Sequence, residues 1–124
     1  MDIRNHKDLD TWREAVALAK NVYKLTRSYP KEEVFGLVSQ MRRAAVSVAS
    51  NIAEGAARQG NRELVKFLYV AAGSASELDT QLEISKGIGM TDVGSIDEVQ
   101  GSTHRVSRML QGLIRSVKGR PSYQ

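Results

Sequence analysis

His6 and His104 are the residues most able to do chemistry, and neither stands in a pattern that performs it. A bound metal needs several N, S or O ligands at short, regular spacing, and carboxylates do not accompany either histidine in that way. The di-iron bundle signature, Glu followed three residues later by His on two helices, is absent. There is no cysteine, which removes disulfides, thiolate metal sites and a cysteine nucleophile together. The segment GIGMTDVG, Gly87 to Gly94, lacks a lysine and follows a helical pattern, so it does not read as a phosphate-cradling loop. Serines are numerous, but no spacing selects a Ser-His-Asp set. These patterns argue against an enzyme, a metal site and a cofactor.

The polar residues that remain are Asn51 with Glu54, and Arg42 with Arg43. Asn51 and Glu54 form either a polar site repeated around an assembly or a structural pair. In the structural reading, which is preferred, Asn51 bonds a neighbouring segment and Glu54 meets Arg58 at the i, i+4 spacing. Arg42 flanks an apolar face and can snorkel at a subunit boundary, whereas Arg43 points away and can reach phosphate.

The element that positions all four is Gln40 to Arg58, QMRRAAVSVASNIAEGAAR. At 100° per residue, Leu37, Val38, Met41, Ala45, Val48, Ala49, Ile52 and Ala56 share one face of a helix. That face is lined by small residues, so a neighbouring helix can approach closely, and Gly55 extends the permission to the backbone. Val70 to Ser76, VAAGSAS, is an equally small partner surface.

The rest of the chain reads as three more helices. Helix 1 spans about 9–28, with Asp8 or Asp10 available as a cap and Pro30 as the stop. Its core face is expected to be Trp12, Ala15, Val16, Ala19, Tyr23 and Thr26, with Leu18, Val22, Leu25 and Tyr29 as a second apolar row. Helix 2 spans about 35–57. Helix 3 spans about 61–87 after a turn at Gly60, with Leu64, Phe67, Leu68, Ala71, Ala75, Leu78 and Leu82 inward and Val65, Tyr69, Ala72 and Ser76 as its second row. Gly73, in mid-helix, calls for close passage of another backbone. Ser95 and Glu98 read as a capping box that opens helix 4, about 96–118, with a core face of Val99, Thr103, Val106, Leu110, Leu113 and Val117. The tail 119–124 is expected to be disordered.

The 124 residues suit one domain, and 41% apolar with 26% charged residues is ordinary for a globular chain. Two prolines, one Trp, four Tyr and two Phe favour helices over a sandwich. The fold class expected is all-α, an antiparallel up-down-up-down four-helix bundle. No apolar run reaches a membrane span and the polar opening MDIRNHKDLD lacks a signal-peptide core, so a cytoplasmic protein without a membrane partner is expected.

The segments LDTWREA, FGLVSQMRRAAVSVASNIAEGAAR and FLYVAAGSASELDTQLE resemble the bacterial four-helix bundle family named for proteins encoded in ribosomal RNA intervening sequences. The resemblance runs from about Leu9 to Lys118. Its signature here is Gln40, Arg42, Arg43, Ala44, Ser47, Asn51, Ile52, Ala53, Glu54, Gly55 and Arg58, with Val48-Ala49 and Ala56-Ala57 departing from the usual pattern. The resemblance implies an up-down bundle assembled as a ring, typically a homopentamer, with no known catalytic activity. A more distant relative is the accessory protein of diversity-generating retroelements, a basic pentamer thought to hold reverse transcriptase and nucleic acid.

Assembly is also expected from the residues. The row Leu18, Val22, Leu25 and Tyr29 and the row Val65, Tyr69, Ala72 and Ser76 offer more apolar surface than one bundle core absorbs, so they are expected to meet across subunits. Charge separates along the bundle as well. One pole gathers Arg4, Lys7, Arg58, Arg62, Lys66, Arg115, Lys118 and Arg120 against Asp2, Asp8, Asp10, Glu54 and Glu63, a net of +3. The other has Lys24, Arg27, Lys31 and Lys86 against Glu32, Glu33, Glu83, Asp92, Asp97 and Glu98, a net of −2. With Arg43 added, the basic set Arg58, Arg62, Lys66, Arg115, Lys118 and Arg120 is the candidate surface for RNA or another nucleic acid. The competing expectation is a scaffold whose partner is a protein.

Overall fold

The computed structural model describes residue 6 and residues 9–123; Arg4, Lys7, Asp2 and Asp8 of the expected basic pole lie outside the described residues. Four long helices make up the fold: α1 (Asp10–Thr26), α2 (Ser39–Ala57), α3 (Asn61–Gly87) and α4 (Val93–Lys118). Each packs on two neighbours, α2 on α1 and α3, α4 on α3 and α1, with α2 against α3 the most extensive pairing. This is the antiparallel four-helix bundle, and no strand is found among the described residues.

The helix ends follow from local chemistry. Near the end of α1, Thr26 Oγ1 donates to the Val22 carbonyl at 2.8 Å and Ser28 Oγ to the Leu25 carbonyl at 2.8 Å, satisfying groups left unpaired where a helix stops. Pro30 then holds an extended conformation (φ −56°, ψ 145°). The connector is more ordered than expected: Lys31–Glu33 form a 3-10 turn and Val34–Val38 a wide five-residue turn in which Gly36 leaves helical geometry (φ −108°, ψ −110°). Gly60, at φ 90°, makes the sharp reversal into α3.

Two terminal expectations need correction. Helix 4 begins at Val93, and its cap is Asp92, whose carboxylate accepts the Ser95 N–H at 2.9 Å and the Ser95 hydroxyl at 3.1 Å. The loop after the Gly89 turn delivers Asp92 to the position just before the helix, so it displaces the Ser95 box. The tail is not featureless either: Pro121–Tyr123 close a 3-10 turn, and Tyr123 packs against the core.

The core runs the length of the bundle, with Leu18, Met41, Ile52, Leu68, Leu78, Leu82, Ile96 and Leu110 fully buried. The expected faces of α2 and α4 are the observed ones. Helix α1 turns its second row inward: Leu18, Val22, Leu25 and Tyr29 lie inside the bundle beside Ala15 and Thr26 of the expected core face, while Val16 and Ala19 of that face are half-buried and Tyr23 is 40% exposed. In this orientation three aliphatic side chains, Leu18, Val22 and Leu25, leave water together. Val65 is buried as well. These five residues are therefore not available as an oligomer surface; of the two expected rows, Tyr69 and Ser76 are exposed and Ala72 is partly so. Gly73 is also corrected, since nothing lies within 4 Å of where its Cβ would be.

Candidate nucleic-acid interface

The turn between α2 and α3 and the end of α4 meet at one pole. Arg120 Nη1 donates to Asn61 Oδ1 at 3.2 Å, and Lys118 Nζ donates to the Tyr69 hydroxyl at 3.3 Å, stitching the end of α4 to the first turns of α3. Six of the basic residues singled out in the sequence, Arg58, Arg62, Lys66, Arg115, Lys118 and Arg120, are thereby gathered, five of them exposed.

Aromatic rings lie among them. The Arg58 guanidinium sits 5.0 Å from the Phe67 ring centre and the Lys66 ammonium 5.9 Å from the same ring. Arg62 lies 5.4 Å from the Tyr123 ring and Lys118 5.6 Å from that of Tyr69. Each is within the range where a cation is drawn to a ring face. Hydrogen bonding to Tyr69 holds the Lys118 ammonium above its ordinary pKa. Periodicity does not find these rings, because it places Phe67 in the core, Tyr69 at an interface and Tyr123 in a disordered tail. The alternation of bases and aromatics in Arg62, Lys66, Phe67 and Tyr69 is the signal in the sequence that points to them.

Arg43 does not belong to this set. It lines a shallow depression between α2 and α3 with Gln40, Ala44, Ser47 and Glu77, well along α2 from the pole. The other signature residues bond within the chain. Arg42 Nε donates to Thr26 Oγ1 at 3.0 Å and its guanidinium lies 4.5 Å from the Tyr23 ring, clamping α2 to the end of α1. Asn51 Nδ2 donates to the Ser47 carbonyl at 2.8 Å and to its hydroxyl at 3.0 Å, and Ser47 bonds Ser74 of α3 at 2.9 Å. Glu54 pairs with Arg58 at 3.0 Å, the spacing expected of an i, i+4 ion pair.

The histidines stay apart. His6 rests edge-on against Trp12 with ring centres 4.9 Å apart, and His104 Nε2 lies 2.8 Å from Asp79 Oδ1. Burial works against ionisation of Asp79, but hydrogen bonds from Gln100 and His104, together with the positive charge of His104, outweigh it and hold the carboxyl below its usual range. Among the described residues no cluster of three or more metal-ligating side chains occurs, and no helix is long and apolar enough to cross a membrane.

The opposite pole carries a feature that helical periodicity does not reveal. Ser28 and Thr91 hydroxyls meet at 2.8 Å, joining the α1–α2 connector to the α3–α4 loop. Around that junction Phe35 is 97% exposed, and Val34, Ile88 and Val93 are about half exposed. Lys86 pairs there with Asp97 at 3.0 Å and with Glu83 at 3.5 Å.

Comparison with known proteins agrees with this architecture. A crystal structure of a protein of unknown function from the S23 ribosomal protein family of Bacteroides thetaiotaomicron superposes with a TM-score of 0.79, covering 85% of this chain and 95% of that one at 18% identity. At that identity the likeness speaks to the fold. No match was found among curated proteins. The model of the 23S rRNA-intervening sequence protein family matches residues 7–112, nearly the whole bundle and all of the α2 signature, and the chain belongs to that family.

Proposed function

We propose that this protein is a non-enzymatic RNA-binding accessory protein that holds a single strand across its basic pole. The carrying observation is the pairing of bases with rings: Arg58 and Lys66 on Phe67, Arg62 on Tyr123, Lys118 on Tyr69. Cations attract the phosphate backbone for any sequence, and the exposed Tyr69 ring can receive an unstacked base, the combination that single-strand binders use. Phosphates would displace Glu54 from Arg58, a pair that is half exposed and therefore weakly held.

Fluorescence anisotropy with a labelled single-stranded RNA tests this reading. Affinity should fall steeply with salt, and Arg62→Glu or Lys118→Glu should weaken binding of any sequence and lower the salt slope by about 0.7 for each phosphate no longer neutralised. Lys31→Glu at the opposite pole should leave binding unchanged. Absence of binding at low salt, or equal weakening from both poles, would overturn the proposal.

A protein-scaffold reading is favoured by one observation, the acidic pole with Phe35 standing 97% exposed. An exposed phenylalanine at the pole that also carries Glu32, Glu33 and Asp92 suits a basic protein partner with an apolar pocket. Unchanged RNA binding in Phe35→Ser, together with the disappearance of a co-purifying basic protein, would favour it.

A further inference from the structure

Where the turn from α2 into α3 meets the end of α4, a small cleft of about 170 Å³ is lined by Arg58, Gly60, Asn61 and Arg120 among others. Two of its lining side chains are guanidinium groups, and among the described residues no acid lines it. Arg120 is tied down through one nitrogen, since Nη1 donates to Asn61 Oδ1 at 3.2 Å. Its Nη2 is buried and has no hydrogen-bond partner among the described residues. A charged donor shut away from water without an acceptor is costly, so this nitrogen calls for one. The cleft also reaches the start of α3. Gly60 at the cap position offers no side-chain acceptor, so the N–H groups of Arg62 and Glu63 lack a cap and their partial positive charge adds to that of the two arginines.

Room and charge together select the occupant. Pockets that take a whole small molecule measure about 300 Å³ or more, so this cleft admits a phosphate group but not the nucleoside attached to it. Along a strand, each internal phosphodiester carries a single negative charge, whereas a phosphomonoester at an end carries about 1.5 to 2 and presents three strong acceptor oxygens. Two guanidinium forks and an uncapped helix start match the second better than the first. We infer that the cleft seats the terminal phosphomonoester of an RNA strand, with Arg58 and Arg120 donating to its oxygens beside the start of α3. Arg58 exchanges its half-exposed partner Glu54 for the phosphate, while Arg120 keeps Asn61 and gains the acceptor that Nη2 lacks. The inference rests on the RNA reading above and deepens it: the basic pole holds the end of a strand, and the rest of the strand leaves over the exposed cations.

The test is fluorescence anisotropy of the full-length chain with one single-stranded RNA sequence, labelled internally and prepared with a 5′-phosphate, with a 3′-phosphate, or with hydroxyls at both ends. At least one phosphorylated form should bind the native protein about tenfold tighter than the hydroxyl-ended form, the effect of roughly one charge-assisted hydrogen bond, and the form that does so identifies the end that is held. Arg120→Gln should bring that ratio close to one. Arg120→Lys, which keeps the charge but not the fork, should lower it too. Lys118→Glu, outside the cleft, should weaken all three RNAs and keep the ratio. Equal affinity of the three RNAs for the native protein would overturn the inference and leave the RNA reading standing. So would a ratio that survives in Arg120→Gln, which would make Arg120 only a tie between α4 and α3. Failure of all three RNAs to bind would overturn both readings.

Discussion

A Cβ placed on Gly55 would stand 2.9 Å from the Cβ of Phe67 and 3.2 Å from the Leu64 carbonyl oxygen, so α2 and α3 meet there at backbone distance. Overpacking such a contact costs about 1–3 kcal/mol, against about 1 kcal/mol gained from the helix propensity of alanine. Gly55→Ala should therefore lower the melting temperature modestly, whereas Gly73→Ala, with open space around it, should raise or preserve it in the monomer. Denaturant melts of the two variants side by side check the contrast.

The same interface predicts the response to added volume deeper in the bundle. Ala45 and Ala75 are wholly buried on the facing sides of α2 and α3. Ala45→Leu or Ala75→Leu should each cost about 1–3 kcal/mol. Thermal melts unchanged by both would show that the space between these helices tolerates larger side chains.

Leu25 separates a core role from an assembly role. At 7% exposure it belongs to the interior. Leu25→Glu should then destabilise the fold itself by at least about 3 kcal/mol, since it removes buried apolar area and places an unpaired charge there. Circular dichroism should show an absent or much lowered cooperative transition; a well-folded but dissociated protein would restore this row to an interface.

Asp79 sets a pH response. Its folded pKa is depressed below the ordinary value of 3.8, so its network contributes stability that is fully present above that value and lost as pH falls through the folded one. Asp79→Asn should melt lower than the native protein near neutral pH, and the gap should narrow as pH falls below the ordinary value and through the folded one, where the native carboxylate takes up its proton. Thermal melts of both proteins across that range read the effect directly.

Much of the architecture is legible in the chain because its causes are local. Helical periodicity marks both ends of α3 and the end of α2, while α2 starts at Ser39 and not at 35 because Gly36 leaves helical geometry; Pro30 and Gly60 mark the turns, and the Glu54–Arg58 pair follows from spacing along one helix. The start of α4 is less legible, since Asp92 and Ser95 both carry capping oxygens and only the path of the preceding loop chooses between them.

What the sequence by itself determined is the number of helices and, through the short turns between them, their polarity of packing, both of which follow from residues close in the chain. Only the tertiary structure decided which row of α1 faces inward. Both rows are apolar, and the choice rests on the shape that α2 and α4 leave between them, so Leu18, Val22 and Leu25 fill the core and Val16 and Tyr23 line an outer groove. The grouping of Phe67, Tyr69 and Tyr123 with Arg58, Arg62 and Lys118 is decided the same way. Those residues come from three separate segments, and only the antiparallel return of α4 beside the start of α3 brings their charges and rings to one end.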